Sequence, residues 1–332
     1  MLFRSNIYMR RPAGLSDKYM PEVVSLRKCL YGLPMAPAKF REHSDKTLRA
    51  MGFVPTVSDP RLYKKVYPDG QISYILIHVD DLLVSAKSIA MIDDIFTELR
   101  KTYQITSSDD AEHYVGMYIT RNWKEKSITV TQPGYIEELI DDYNVTCSTY
   151  PATPMVETPR LPSSSTNSLL SKKLIELYQS KVGSLLYLAN QTRPDILFAV
   201  NMASRQTKAP TEADMVAVDR ILQYVAGTPT MGLFFKSGEG VKLYATVDAS
   251  YGNHSDRKSH TGCTLHIGLN SGAFVSRSKK QTVTADSSTV SEFIFLFIQQ
   301  RRKSCGHAPF WLNWATRKNQ LLSLRMINLQ FI

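Results

Sequence analysis

Cysteine is scarce. Four residues (Cys29, Cys147, Cys263 and Cys305) lie far apart in a chain of 332, and none forms a C-x-x-C pair. That spacing excludes the common zinc and dithiol motifs and leaves reduced thiols as the plain reading. Long hydrophobic runs are also missing. The N-terminal stretch MLFRSNIYMRRPAG has no apolar core for a signal peptide. The longest apolar cluster near the far end, FIFLFI (293–298), is too short to span a bilayer. A soluble, intracellular protein, cytoplasmic or nuclear and without a membrane partner, is therefore expected. No internal repeat is visible. Acidic residues are in deficit: 30 Asp+Glu against 40 Lys+Arg gives a net charge of +10. Such an excess favours polyanions through counterion release, which makes nucleic acid a candidate partner. The 43 % hydrophobic and 21 % charged fractions are ordinary and leave ample material for two or three cored domains.

Glycine is absent from one turn that calls for it. The stretch YILIHVDDLLVSA sets Asp80 and Asp81 between two β-favouring apolar runs, Tyr74–His78 and Leu82–Ala86. A tight turn between strands prefers Asn-Gly, Asp-Gly or Gly-Gly. Val79-Asp80-Asp81 offers no glycine and two adjacent like charges. The preceding hairpin does use the favoured chemistry, with RLYKKVY (61–67) followed by Pro68-Asp69-Gly70. Turn geometry alone does not explain Asp80-Asp81.

Around that unit the chain alternates helices and strands. KFREHSDKTLRAMGF (39–53) carries Phe40, Ser44, Leu48 and Met51 at near-helical spacing, and IDDIFTELRKTYQI (92–105) puts Ile92, Ile95, Phe96 and Leu99 on one face. YVGMYITRN (114–122) and SITVTQ (127–132) look like a strand pair, followed by a helix whose first turn holds Pro133. CSTYPATPMVETPRLPSSSTNS (147–168), rich in Pro and Ser, has the composition of a linker. Leu174–Tyr187 and Thr211–Ala226 are helical in pattern, and Arg193-Pro194 opens another helix. From Val241 the texture returns to strands in KLYATVDA, TGCTLHIG and GAFVSRS, before a helix near Thr289.

Two carboxylate clusters attract interest. Two-metal phosphoryl-transfer sites need several carboxylates to hold and neutralise ions about 4 Å apart. Asp80 and Asp81 on a hairpin would supply two; alternatively they form an exposed polar turn, or Asp81 pairs with a lysine. Asp248 ends the strand KLYATV, and Thr289-x-x-Glu292 has capping-box spacing. Taken singly, Glu292 reads as a cap residue and Asp248 as a strand-end charge.

The ordered segments CLYGLPMAPAKF (29–40), YILIHVDDLLV (74–84), HYVGMYITRN (113–122), KVGSLLYLANQTRPDILFAVNMASR (181–205), VDASYGNHSDRKSHTG (247–262) and SKKQTVTADSSTVSEF (278–293) resemble the polyprotein of copia-type retrotransposons over roughly residues 5–293. The resemblance implies an α+β chain. Residues 1–146 would form a partial right-hand reverse transcriptase (late fingers, palm, thumb) with an antiparallel sheet. A Pro/Ser-rich linker (147–170), a helical connection (171–240), a truncated ribonuclease H-like domain (241–293) and a divergent tail (294–332) would follow. It implies RNA-directed DNA synthesis with degradation of the RNA strand, Mg²⁺ or Mn²⁺ as cofactor, and RNA template and RNA/DNA hybrid as partners. Asp80 and Asp81 match the polymerase metal ligands, and Asp248 and Glu292 match ribonuclease H carboxylates expected to approach one another. Gly32, Met35 and Pro37 match the segment beside the incoming nucleotide and template. Asp256, at a hairpin turn, reads as structural.

Departures from the family pattern bear on activity. His78 stands where the family has tyrosine and reads as a nucleic-acid-side residue, while Met35 replaces the usual glutamine and cannot make an amide's polar contacts. The family's third polymerase carboxylate lies upstream of the segment resembling NIYMRRPAG, and Asp17 in GLSDKYM has no strand context to replace it. Past Phe293 the sequence holds no aspartate or glutamate. Both carboxylate sets are thus expected to be incomplete and catalysis impaired. The alternatives are a non-catalytic nucleic-acid-binding remnant, or activity only with a complementing retroelement polypeptide.

Overall fold

The structure is a computed structural model and describes residues 7–12, 21–26, 32–107, 111–156, 169–237, 242–252, 254, 256–268, 271–287 and 290–291, with the backbone of 323–330. Its architecture is mixed α+β, with several antiparallel sheets and six α-helices among the described residues. The chain divides into two compact units, one comprising 1–110 with 321–332 and the other 111–320. The division falls before the strands of 113–131, which therefore cluster with the later helices.

In the first unit, β1 (Ile7–Arg10) and β2 (Val23–Leu26) pair as an antiparallel ribbon. Helix α1 (Ala36–Ala50) starts three residues earlier than its hydrophobic spacing indicates, because Pro37 occupies the first turn, where a missing N–H costs nothing. Phe40, Ser44 and Leu48, four apart, form its buried face. Strands β3 (Val54–Pro55), β4 (Leu62–Val66), β5 (Ile72–His78) and β6 (Asp81–Ala86) run as an antiparallel meander. Helix α2 (Ile89–Arg100) begins at Ser88, whose hydroxyl accepts from the Met91 N–H, and buries Ile92, Ile95, Phe96 and Leu99. It ends five residues before the expected 105, since the chain is already extended in β7 (Gln104–Ser107). Phe53, Tyr63, Ile75, Leu82 and Val84 complete one core with these helices. The sheet also takes in a strand from the divergent tail, Ser323–Gln330, between β6 and β7. No strand was expected there.

In the second unit the expected strand 114–122 is broken. It becomes a short β8 (His113–Tyr114) and β9 (Met117–Asn122), joined by Val115 and Gly116 at φ 50° and 72°. Positive φ at both loop residues is what a two-residue type I′ turn requires. β10 (Ser127–Thr131) follows, and then helices α3 (Pro133–Asp142) and α4 (Lys172–Gln191). A 3₁₀ turn, Pro194–Ile196, leads into α5 (Leu197–Ser204) and α6 (Glu212–Ala226). Thr211 and Asp214 close a capping box on α6. Tyr178, Val182, Leu185, Leu188, Val200 and Ile221 anchor the helical core. β11 (Leu233–Lys236) adds to β10, giving the sheet order β11-β10-β9-β8. β12 (Leu243–Ser250), β13 (His260–Ile267) and β14 (Ala273–Lys280) form a separate antiparallel sheet. Among the described residues, no helix is long and apolar enough to cross a membrane.

Candidate metal-binding hairpin and a second carboxylate

Strands β5 and β6 pair from Tyr74↔Ser85 to His78↔Asp81, leaving Val79 and Asp80 as a two-residue loop. Alternation carries Ile75, Leu82 and Val84 into the core and pins the register, because a one-residue slip would expose all three. The aspartates stand at the tip of an antiparallel hairpin, both half-buried and neither sealed off. Val79, 53 % exposed, has φ 54°. A β-branched residue is a genuine outlier there, because its Cβ crowds the backbone. The loop carries strain of about 1–3 kcal/mol, and the turn lacks the glycine that would remove it.

Charge adds to this tension. Burial, and then the Asp80 charge, push the Asp81 carboxyl above its ordinary range, while His78 partly offsets them. Two adjacent carboxylates that repel each other are stabilised by a shared divalent cation, and hard oxygen donors suit Mg²⁺ or Mn²⁺. The donor set fits such an ion. Among the described residues, no cluster of three or more His, Cys, Asp or Glu forms a metal cage. Mg²⁺ commonly takes only one or two carboxylates and completes its shell with water and substrate phosphate.

Gly32, Met35 and Pro37 gather just before and inside the first turn of α1. Gly32 has φ 92° with open space where a Cβ would sit, so glycine serves the backbone there rather than clearance. Met35 is exposed and is the residue preceding α1, with no side-chain cap bond.

Asp248 belongs to the second unit. It is exposed on β12 opposite Gly262 and shares a face with Thr246, Ser250, His260 and Ser278. These residues line a cleft of about 460 Å³ whose other wall includes Leu197 and Phe198 of α5. Glu292, and with it the expected approach to Asp248, lies outside the described residues. Asp256 is held by Lys280 at 2.6 Å, in keeping with a structural role.

Sequence reasoning missed two buried polar clusters beside this cleft. His254 Nε2 lies 3.1 Å from His260 Nδ1, and His260 Nε2 lies 2.7 Å from Ser278 Oγ. Arg205 Nη1 reaches His254 Nδ1 at 2.9 Å. Burial, followed by His254, Arg205 and Lys280, pushes His260 down to about 4. Arg193 is completely buried and forks between the Asp195 carboxylate and Thr228. Their partners come from 35 or more positions away in the cases of Thr228 and Arg205, so no local pattern signals them.

The family described as Reverse transcriptase (RNA-dependent DNA polymerase) matches residues 2–157. The Retrovirus-related Pol polyprotein from transposon RE1 of Arabidopsis thaliana is 34 % identical over 291 residues, 87 % of this chain and 19 % of that polyprotein. The polyprotein from transposon TNT 1-94 of Nicotiana tabacum is 31 % identical over 295 residues, 87 % of this chain and 22 % of its own length. The chain therefore spans about a fifth of those relatives. The putative transposon Ty5-1 protein of Saccharomyces cerevisiae is 32 % identical over 291 residues and is covered over 92 % of its length. By this likeness, the chain belongs to the reverse transcriptase family of retrotransposon polyproteins.

Proposed function

We propose that this chain is a portion of a retrotransposon RNA-directed DNA polymerase in which Asp80 and Asp81 hold the catalytic divalent cation. The single observation that carries this reading is the pair of carboxylates at the end of a core-anchored hairpin, Asp80 on its strained two-residue loop and Asp81 opening β6. When bound, Mg²⁺ or Mn²⁺ supplies Lewis-acid stabilisation to the reacting phosphate. The chain's own contribution is placement: the buried residues of β5 and β6 fix the hairpin, which holds Asp80 on the loop and Asp81 at the first position of β6. Gly32, Met35, Pro37 and His78 would lie on the nucleotide and template side. Residues 1–146 then correspond to late fingers, palm and thumb, and 171–240 to a connection. Residues 241–293 correspond to part of a ribonuclease H-like domain with Asp248 and Glu292 as carboxylates, a reading favoured by the exposed Asp248 over the side-chain-free Gly262.

Two carboxylates balance the charge of one divalent ion, whereas in-line phosphoryl transfer between two ions needs more donors. Assayed alone, the 332-residue polypeptide is therefore expected to bind nucleic acid without measurable primer extension, because misplacement by about 1 Å already costs about 10²-fold in rate. Binding depends less on one geometry, since +10 net charge acts through many phosphate contacts. The test is primer extension with Mg²⁺ or Mn²⁺ on a primed RNA template, alongside binding measured over a salt series. Salt-sensitive binding without extension is the expected outcome. Extension abolished by Asp80→Asn would overturn the inactivity while supporting the ligand assignment. Failure to bind nucleic acid even at low salt would overturn the whole reading.

A further inference from the structure

We propose that the β9–β10 hairpin is a stacking contact for single-stranded nucleic acid, with Trp123 as its platform and Lys124, Lys126 and Lys236 as phosphate partners. The proposal rests on the nucleic-acid reading above but concerns a surface that the catalytic assignment does not use. Trp123 begins the four-residue connection between Asn122 and Ser127 and leaves 53 % of its surface exposed. A ring this large is ordinarily buried or engaged, because its apolar area dominates local energetics. Here its protein partner is the Arg121 guanidinium, 5.7 Å from the ring centre.

The loop that presents it is held in place. Asn122 Oδ1 accepts the Glu125 N–H at 3.0 Å, Lys126 takes φ 51°, and the Lys126 carbonyl accepts the Ser237 N–H at 2.9 Å. The indole is thus displayed on a fixed turn, so less ordering entropy is lost when a base stacks on it.

Charge identifies the occupant. Arg121, Lys124, Lys126 and Lys236 stand against Glu125 alone, four positive groups to one negative, in this hairpin and the adjoining end of β11. Lys236 and Glu125 meet at 3.2 Å with both side chains largely in solvent, a pair that an incoming phosphate can displace at little cost. A second exposed ring belongs to the other face of the sheet from Arg121. Phe234 is 42 % exposed and pairs with Thr129, which pairs in turn with Thr120, so the three share one face. An exposed indole flanked by lysines suits a stackable base on a polyanionic backbone.

The test is fluorescence anisotropy of labelled oligo(dT) and oligo(U) with the full chain and its variants. Trp123→Ala should weaken binding by on the order of tenfold, whereas Trp123→Phe, which retains a stacking face, should stay within about threefold. Lys124→Gln/Lys126→Gln should lower the slope of log K against log salt by about 1.4, two phosphate contacts on a single strand. If the parent chain binds but Trp123→Ala binds equally well, this inference fails and the proposed function stands. If the parent chain does not bind at all, the proposed function fails as well. If Trp123→Ala leaves oligonucleotide binding intact but abolishes binding to phosphatidylserine vesicles, the surface is a membrane contact and the inference is overturned.

Discussion

Replacing Arg193 with methionine should destabilise the helical unit by about 3 kcal/mol. Methionine keeps much of the side-chain length but supplies no donor. The guanidinium it removes is fully buried: Nε reaches Asp195 at 2.9 and 3.2 Å, Nη2 reaches Asp195 at 2.8 Å and Thr228 Oγ1 at 2.7 Å, and Nη1 reaches the Thr228 carbonyl at 2.8 Å. It also lies 5.5 Å from the Tyr224 ring centre. Breaking a buried ion pair by deleting one partner costs about 3–5 kcal/mol, since the other charge is left uncompensated. Two features draw the value to the lower end. The Asp195 side chain retains 28 % exposure and can regain some water, and the Thr228 hydroxyl keeps its bond to the Tyr224 carbonyl. Urea unfolding followed by far-UV circular dichroism reads the effect as a lowered midpoint of the helical transition. Arg193→Met/Asp195→Asn should recover more than about 1 kcal/mol of the loss, because the orphaned charge is gone. Arg193→Lys should not rescue, because a point-charge ammonium cannot fork to both partners. A single-variant loss below about 1 kcal/mol, or a double variant worse than the single, would refute the reasoning.

Two further outcomes follow from local strain and from burial. Val79→Gly should raise stability by about 1 kcal/mol, the relief of positive-φ strain less the added freedom of glycine in the unfolded chain; a fall in the midpoint would show that no strain resides there. Acidification between the ordinary histidine value of 6.5 and about 4 should weaken the second unit by at most about 3 kcal/mol. The sign is fixed by protons: in that window the unfolded chain protonates His260, while the folded pair, facing Arg205 and Lys280 with Asp256 opposing, resists. Stability present at neutral pH is therefore lost on acidification. His260→Gln should flatten the dependence, and a midpoint of the parent chain that does not move in mildly acidic buffer would contradict the assignment.

What could be read in advance was local. Phe40, Ser44 and Leu48 in α1, and Ile92, Ile95, Phe96 and Leu99 in α2, follow from a 3.6-residue period and are buried as a set. The Asp80-Asp81 hairpin follows from two apolar runs around a polar break. Element ends were less legible, because they depend on neighbours: α2 stops early where Gln104–Ser107 joins a sheet. Gly116 was the available sign that 114–122 is two strands. Tertiary pairing supplied the rest. Ser323–Gln330 becomes a strand because β6 and β7 offer it two edges, and nothing in the tail announces those partners. The Arg193 and His260 clusters are equally non-local, drawing on residues that only the fold brings together.

The two carboxylate sites also differ in how strongly physics argues for them. At the hairpin, several local preferences are violated together: a turn without glycine, a β-branched residue at φ 54°, and adjacent like charges with Asp81 raised by burial. Each disfavours the folded state, and a core-anchored hairpin holds them all in place. Violations concentrated on one loop and sustained by its surroundings are the expected mark of a site selected for chemistry. Asp248 carries no comparable burden. It is exposed on a regular strand, opposite a glycine that leaves room above the sheet. That placement permits a catalytic role without demanding one. The proposed role of the hairpin can therefore be argued from strain and charge, whereas the second carboxylate draws its case from sequence resemblance and from the cleft it borders.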